Sequence, residues 1–310
     1  MSEAAPAWPP TMRVLERGWV SSNNIVFLGD EAAVVDTGYG RHAPQTLGLL
    51  HHLLDGRPLA RIVNTHTHSD HIGGNAALKR AWPGAHTAIP AGEAQVVRAW
   101  DEVALHLSPL GQECERFAFD ATYAHGDVLT LGGLQWQAVG SPGHDMDSLV
   151  LYCAAERILI SADALWENGF GVLFAELTGE APPGAAMAAQ RATLDAIARL
   201  DVTRVIPGHG APFTDIAGAL ERAYGRLDYF VADPIRNARN AAKVTVAFVL
   251  MIEGRLALAG LPQRLAGMGF LAGINRDWFG MEEGAWAEFL IAELEKSKAA
   301  RRSGGWLLPA

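Results

Sequence analysis

The sequence has few cysteines, no long apolar run and no surplus of basic residues. Its 310 residues include two cysteines, Cys114 and Cys153, which are too few for a disulfide framework or a thiolate metal site. No stretch reaches the roughly 20 apolar residues that span a bilayer. The first residues also lack the basic end and apolar run of a secretory signal. We therefore expect a cytoplasmic protein without a membrane partner.

The charge is acidic overall and unevenly distributed. The formal net charge is −9, which argues against a surface that binds polyanions in general. Residues 231–310 hold ten Lys and Arg against eight Asp and Glu, whereas residues 1–230 hold fifteen against 26. A nucleic-acid partner is therefore disfavoured and stays open only for the C-terminal region.

Short apolar strands, turns and helices alternate through the first 215 residues. Two half-sheets covered by helices on the outside would give an α+β fold, a four-layer αββα sandwich. After about residue 216 the pattern becomes helical and ends in a short apolar segment. We predict a sandwich domain over residues 1–225 and a small helical, winged-helix-like module over residues 226–310.

Metal-ligand residue types cluster in the segment NTHTHSDHIGG, which begins at Asn64 and follows a short apolar strand. Alternate side chains of an extended segment point the same way, so His66 and His68 can hold one ion together. Asp70 and His71 come where the chain turns, so they can face a neighbouring position. Imidazole and carboxylate groups suit zinc, and iron and manganese are also compatible with them.

Three further residues of these types follow later apolar strands. His144 comes after Val139, Asp163 after Ile158–Ala162, and His209 after Val205. Each signal is weak by itself, since Pro-Gly-His is often only a turn. Together with the first cluster they predict one site, because loops at strand ends are where active sites collect.

These motifs resemble those of the metallo-β-lactamase-fold hydrolases, and the resemblance covers about residues 20–215. The segment from His66 to His71 matches the family's His-x-His-x-Asp-His signature, and Asp36 matches its early Asp-Thr-Gly. The resemblance implies an αββα fold with two adjacent divalent metal ions. The implied ligands are His66, His68 and His144 for the first ion, Asp70, His71 and His209 for the second, and Asp163 as the bridge.

The resemblance also implies a chemistry, in which a water activated by the two metals attacks an electrophilic carbon or phosphorus. Asp70 is expected to orient that water and to shuttle its proton. Asp36 either supports a ligating histidine or only ends a strand. The remaining histidines lack this context and are interpreted as surface or core residues: His42, His51, His52, His86, His106 and His125.

Differences between this sequence and the motifs of particular subfamilies narrow the possible substrate class. Asp163 stands at the position where a cysteine would resemble the antibiotic-destroying members of the family, so a true β-lactamase is disfavoured. Two complete metal sites disfavour the mononuclear iron dioxygenases. Glyoxalase II and related thioesterases are similar in their seven ligands, but their basic glutathione-binding pattern is not evident here. Trp166 occupies the position of a tyrosine in many lactonases. In this chain Trp166 either lines an apolar substrate pocket or belongs to the core.

Three functions therefore stay open. The first is a binuclear hydrolase of a small acyl compound: a thioester, ester or lactone. The second is a phosphodiesterase or endoribonuclease, for which the C-terminal basic residues would bind substrate: Arg236, Arg239, Lys243, Lys296, Lys298, Arg301 and Arg302. The third is a non-catalytic binder on the same scaffold. An apolar stripe in Val244–Met251 favours packing on the catalytic domain or on a second copy, which leaves a homodimer open.

Overall fold

The computed structural model describes residues 8–310. Residues 1–7 of the first predicted domain lie outside the described part of the chain. Two sheets face each other at the centre of the larger part. The first has six strands in the order of their numbers: β1 (Met12–Leu15), β2 (Asn24–Phe27), β3 (Ala32–Val35), β4 (Leu59–Val63), β5 (His86–Pro90) and β6 (Ala121–Tyr123).

The second sheet has five strands and the spatial order β11-β10-β9-β8-β7. Its members are β7 (Val128–Leu131), β8 (Leu134–Gly140), β9 (Leu149–Cys153), β10 (Ile158–Ala162) and β11 (Arg204–Pro207). Side chains of both sheets form the core between them, including Phe27, Trp136 and Cys153. Strands β2, β3, β9, β10 and β11 are buried along their whole length because they are covered on both faces.

Helices cover the outer faces of the sheets. Those in the first part of the chain are α1 (Ala43–Leu54), α2 (Ser69–Ile72), α3 (Asn75–Ala81), α4 (Ala94–Ala99), α5 (Ala175–Thr178), α6 (Ala185–Ala198) and α7 (Ile216–Ala232). Leu50 and Leu54 of α1 pack on the first sheet, and Leu194 of α6 and Leu227 of α7 pack on the second. The layers are therefore helix, sheet, sheet, helix, which confirms the predicted αββα fold.

The C-terminal region is mainly helical, as predicted. It contains α8 (Ile235–Glu253), α9 (Leu261–Ala266), α10 (Gly269–Ile274) and α11 (Glu283–Lys296), with a three-stranded antiparallel sheet of β12 (Leu256–Ala257), β13 (Ala300–Ser303) and β14 (Trp306–Pro309). Phe248 packs edge-on against Tyr39 of the sandwich at 5.5 Å, whereas Val244 and Met251 are exposed. The predicted apolar stripe therefore contacts the sandwich through only some of its members.

Pro234 divides the helical pattern that begins at about residue 216. The structure breaks the chain at Asp233-Pro234 and then continues one helix from Ile235 to Glu253. Pro234 caps that helix, a place where its missing N–H costs nothing. Residue 225 lies inside α7, whose buried residues up to Phe230 pack on the sandwich.

Within residues 8–310, none of the helices combines the length and the apolar character that crossing a membrane would require.

Candidate metal centre

The site forms where strands of both sheets end. Strands β3 and β4 are parallel, so Asp36 and the segment after Val63 emerge at one edge of the first sheet. Strands β8 and β10 are both antiparallel to β9, and β10 is parallel to β11, so these three end at one edge of the second. The loops carrying His144, Asp163 and His209 therefore meet the loop carrying His66 to His71. Topology brings all seven predicted ligands together.

The first group of donors consists of three buried imidazoles, His66, His68 and His144. One ring nitrogen from each lies within 4.8 Å of the others. Nδ1 of His68 is 2.8 Å from Nε2 of His144. Nδ1 of His144 donates to the carbonyl of Val172 at 2.6 Å, which leaves its Nε2 without a proton and facing His68. This is the set that the family resemblance implied for the first ion.

The second group consists of Asp70, His71 and His209, whose donor atoms also lie within 4.8 Å of one another. Oδ2 of Asp70 is 3.0 Å from Nε2 of His209. Asp163 lies between the groups, because its Oδ2 is 3.3 Å from Nε2 of His144, 3.6 Å from Nε2 of His71 and 3.7 Å from Nε2 of His209. Oδ2 of Asp163 thus lies near donors of both groups.

Asp36 fixes the orientation of His71. Its Oδ2 accepts a hydrogen bond from Nδ1 of His71 at 2.8 Å, and its two oxygens also accept from the backbone N–H and the hydroxyl of Thr65. The residue is buried and has a positive φ of 56°, a conformation that Asp tolerates better than most residues. Because the proton of His71 is held on Nδ1, its Nε2 faces the site with a free lone pair.

Unpaired buried nitrogens test whether metal ions fit these residues. Nε2 of His66 and Nε2 of His71 are buried and find no hydrogen-bond partner among the described residues. Buried polar atoms in folded proteins are almost always satisfied, so these two atoms need a partner of another kind. Both belong to the donor groups above, whose imidazoles and carboxylates are ligands of divalent transition metals. The residues therefore fit divalent metal ions.

The electrostatics of three donors point the same way, whereas at His71 the carboxylates of Asp36 and Asp163 raise the pKa above its usual range against the effect of burial. Burial and the neighbouring His71 lower the pKa of His66 well below its usual range, and burial and His144 do the same for His68. Burial alone would raise the pKa of Asp163, but His209 and His71 hold it below its usual range. Neutral imidazoles and ionised carboxylates are the forms that bind metals.

An aromatic wall borders the second group of donors. The ring of Trp19 stacks on that of His209 at 5.8 Å and meets the edge of Trp166 at 5.5 Å. Trp166 is half-buried, and its Nε1–H donates to Oδ1 of Asp163 at 3.1 Å. Trp19 is 56% exposed. Trp166, one of whose predicted roles was a pocket wall, thus lies directly at the site, and Trp19 extends it.

Several residues near the site were not indicated by any sequence pattern. His106, interpreted as a surface or core residue, lies with its Nδ1 3.3 Å from Nε2 of His68 and its Nε2 2.8 Å from Glu180. Glu93 is buried and accepts a hydrogen bond from Thr67. His106 lies in a turn away from any strand end, and the strands before Trp19 and Glu93 are not continuous apolar runs, so no local pattern singles these residues out.

Comparison with known proteins is consistent with this geometry. Residues 17–209 match the family model described as the metallo-beta-lactamase superfamily. A hydroxyacylglutathione hydrolase of Rhodobacter capsulatus is 32% identical over 210 residues, covering 66% of this chain and 70% of the relative. One from Rhodopseudomonas palustris (strain HaA2) is 29% identical over 120 residues, covering 39% of each. The chain spans less than half the length of several curated relatives that it matches.

Solved structures show the same fold. A beta-lactamase domain protein from Burkholderia ambifaria is 19% identical, with a TM-score of 0.60 over 100% of this chain and 97% of the other. The likeness therefore extends over the C-terminal module as well as the sandwich. With a family model that matches well over half of the residues and a shared fold, this chain belongs to the metallo-beta-lactamase superfamily.

Proposed function

We propose that the protein is a binuclear zinc hydrolase that cleaves a small acyl substrate, namely a thioester, an ester or a lactone. The observation that carries this proposal is the continuity of the donor groups. His66 belongs both to the group with His68 and His144 and to one with His71 and Asp163, and His71 is shared again with Asp70 and His209. The overlap means that the donor groups adjoin, as the sites of two neighbouring ions would.

Zinc is proposed because imidazoles predominate among the donors and carboxylates complete the set, a combination that zinc accepts. His66, His68 and His144 would hold one ion, Asp70, His71 and His209 the other, and Asp163 both. Divalent ions at these positions supply a lowered pKa for water and an electrophile for the substrate's oxygen.

Asp70 is proposed to hold and move the proton of the hydrolytic water. It is the most exposed of the seven donors, with 14% of its side chain accessible, whereas His66 and His71 are fully buried. His71 and His209 lower the pKa of Asp70 against the effect of burial, so the carboxylate is ionised and able to accept a proton. Its place beside His209, next to the aromatic wall, puts it close to the bound substrate.

Trp19 and Trp166 are proposed to bind the apolar part of the substrate. One face of the Trp19 indole is covered by His209, and more than half of the residue is open to solvent. Covering the open face of such a ring with an apolar group removes area from water at roughly 25 cal/mol per Å². The wall also excludes water from the second group of donors.

Three of the seven basic residues named for the C-terminal region, Arg236, Lys296 and Arg302, pair with carboxylates, which favours an acyl substrate over a phosphodiester. Arg302 pairs with Glu288 at 2.8 Å and with Glu295 at 3.5 Å, and Arg236 pairs with Asp233 at 3.3 Å. Cations already neutralised by carboxylates release few counterions when they meet a phosphate backbone. The names of the curated relatives, hydroxyacylglutathione hydrolases, support a thioester within the acyl class.

The test is turnover of the zinc-loaded protein on matched thioester, lactone and phosphodiester substrates. Asp70→Ala is expected to abolish turnover while the fold, followed by circular dichroism, is retained. Asp30→Ala, at an exposed turn between β2 and β3, is the matched control and should keep full activity. Preference for the phosphodiester, or full turnover by Asp70→Ala with unchanged metal content, would contradict the proposal.

A second variant tests the aromatic wall. Trp19→Ala should raise KM more for an acyl substrate with a long apolar chain than for the acetyl analogue, with kcat little changed. Removing uniform binding to a remote group has this signature. An equal effect on both substrates would contradict the proposed role of Trp19.

A further inference from the structure

A buried histidine and a glutamate stand behind the first group of donors. Nδ1 of His68 faces His144 at 2.8 Å, so the opposite ring nitrogen, Nε2, points away from the site. That atom lies 3.3 Å from Nδ1 of His106, and Nε2 of His106 lies 2.8 Å from Oε1 of Glu180. The three side chains form a continuous row, although 38 and 74 positions separate the partners in the sequence.

The chemistry of imidazole gives this row a direction. If Nδ1 of His68 binds a metal ion, its Nε2 must carry the proton and can only donate. His106 then accepts at Nδ1 and carries its own proton on Nε2, from which it donates to the carboxylate of Glu180. All three groups are satisfied in this single arrangement. Oδ2 of Asp145, the other acidic group near Nε2 of His68, is 4.0 Å away, beyond hydrogen-bond distance.

The backbone holds His106 in place at a cost. His106 has a φ of 56°, which is uncommon for residues other than glycine and is kept only when the surroundings enforce it. Its neighbours Leu105 and Leu107 are buried in one small apolar cluster and anchor the turn on both sides. Sustained strain beside a functional site is a reason to look for a role in that site.

Phe174 packs against the rings of His68, His106 and His144 and limits their rotation. Its ring lies 5.3 Å from that of His68, 5.2 Å from that of His106 and 5.7 Å from that of His144. Phe270 of α10, in the C-terminal module, supports Phe174 at 5.5 Å. Both His68 and His106 therefore have little freedom to rotate away from each other.

We infer that His106 and Glu180 are positioning residues for the first metal: they hold His68 in the tautomer and orientation that present Nδ1 to the ion. This inference rests on the metal centre of the proposed function, but not on its substrate. Outer partners of this kind typically contribute 10- to 100-fold to metal affinity. Glu180 is half exposed, so its contribution is expected to be the smaller of the two.

The test measures zinc affinity by competition with a chromophoric chelator, together with the visible spectrum of the cobalt-substituted protein. His106→Phe should weaken one zinc equivalent by about 10- to 100-fold, and Glu180→Gln should weaken the same equivalent less. Asp70→Ala marks the other equivalent, because it removes a donor of the second group. His52→Phe and Glu102→Gln, both at exposed positions, are matched controls with no expected effect.

A conservative variant separates hydrogen bonding from packing. His106→Gln can still accept from His68 and donate to Glu180, so it should bind zinc more tightly than His106→Phe. If His106 contributes only by packing, His106→Phe should bind zinc more tightly than His106→Gln, since Phe preserves the ring and Gln does not. Wild-type affinity in both His106→Phe and Glu180→Gln would overturn the inference.

Two further outcomes are distinguishable. If His106→Phe does not fold, Glu180→Ala decides, because its site is half exposed and alanine has no side-chain acceptor for Nε2 of His106: an unchanged affinity and cobalt spectrum overturn the inference. A wild-type protein that binds zinc tightly but cleaves no acyl substrate would contradict the proposed function. The affinity losses in the two variants would still support the roles of His106 and Glu180.

Discussion

Substitution of Asp36 by Asn tests the organisation of the site most sharply, because it changes one hydrogen bond without removing a donor group. In the structure, Oδ1 of Asp36 accepts from the N–H of Thr65 at 2.9 Å, and Oδ2 accepts from Nδ1 of His71 at 2.8 Å. An Asn side chain can keep the first bond with its own oxygen. Its NH₂ group then faces Nδ1 of His71 and can only donate to it.

This reversal moves the proton of His71. To accept from the Asn side chain, Nδ1 must lose its proton, which then sits on Nε2, the atom directed at Asp70 and Asp163. A protonated nitrogen has no lone pair for a metal. Loss of such an outer partner typically costs about 10- to 100-fold in metal affinity, or about 1.4 to 2.7 kcal/mol. We expect this loss for the second metal.

The backbone makes Asn the appropriate choice. At a φ of 56°, Asn is tolerated as well as Asp, whereas Ala pays about 1–2 kcal/mol for the left-handed conformation. Asp36→Ala therefore combines strain with lost hydrogen bonds, and Asp36→Asn isolates the tautomer. In the metal-free protein Asp36→Asn should lower the free energy of unfolding by only about 1.5–3 kcal/mol, the range for a bond to a charged group.

The assay is zinc competition on both variants, with urea unfolding of the metal-free forms as the control for stability. Wild-type affinity for both zinc equivalents in Asp36→Asn would refute the argument that Asp36 sets the tautomer of His71. Equal affinity losses in the Asn and Ala variants, with a larger stability loss only in Ala, would support it.

Three other predictions concern packing and thiol chemistry. Gly208→Ala should displace Asp163 and reduce metal content, because a Cβ at this position would overlap Oδ1 of that carboxylate. A variant that binds the full amount of metal would contradict this displacement. Trp136→Ala should lower the free energy of unfolding, measured in denaturant, by about 3–5 kcal/mol, since the indole is completely buried between the sheets. A loss below about 1 kcal/mol would show instead that the core closes around the gap. Burial raises the pKa of Cys114 to about 12, and Cys153 is buried. At pH 8 both thiols should therefore react with Ellman's reagent far more slowly in the native than in the unfolded protein. Rapid reaction of one thiol equivalent in the native protein would contradict this.

The sequence by itself predicted the sandwich fold, which the structure confirms, and it named seven candidate donors, which the structure brings together. Strand-end loops carry these residues, and each loop follows an apolar run that is recognisable locally. Once strands of known direction pair, their ends must meet at one edge, so the convergence of His66, His144 and His209 follows from the pattern. Asp36 was already named as a candidate support, although the alternative of a plain strand end remained.

Tertiary structure alone decided what surrounds the donors. Trp19, His106 and Glu180 carry no local signal, and each acquires its place only when distant segments pack together. The choice between Nδ1 and Nε2 in each histidine is likewise fixed by outer partners such as Asp36 and Val172 rather than by spacing along the chain. Periodicity records which face of an element is buried, whereas contacts between loops depend on how whole layers fit, and a single sequence does not encode that fit in any local pattern.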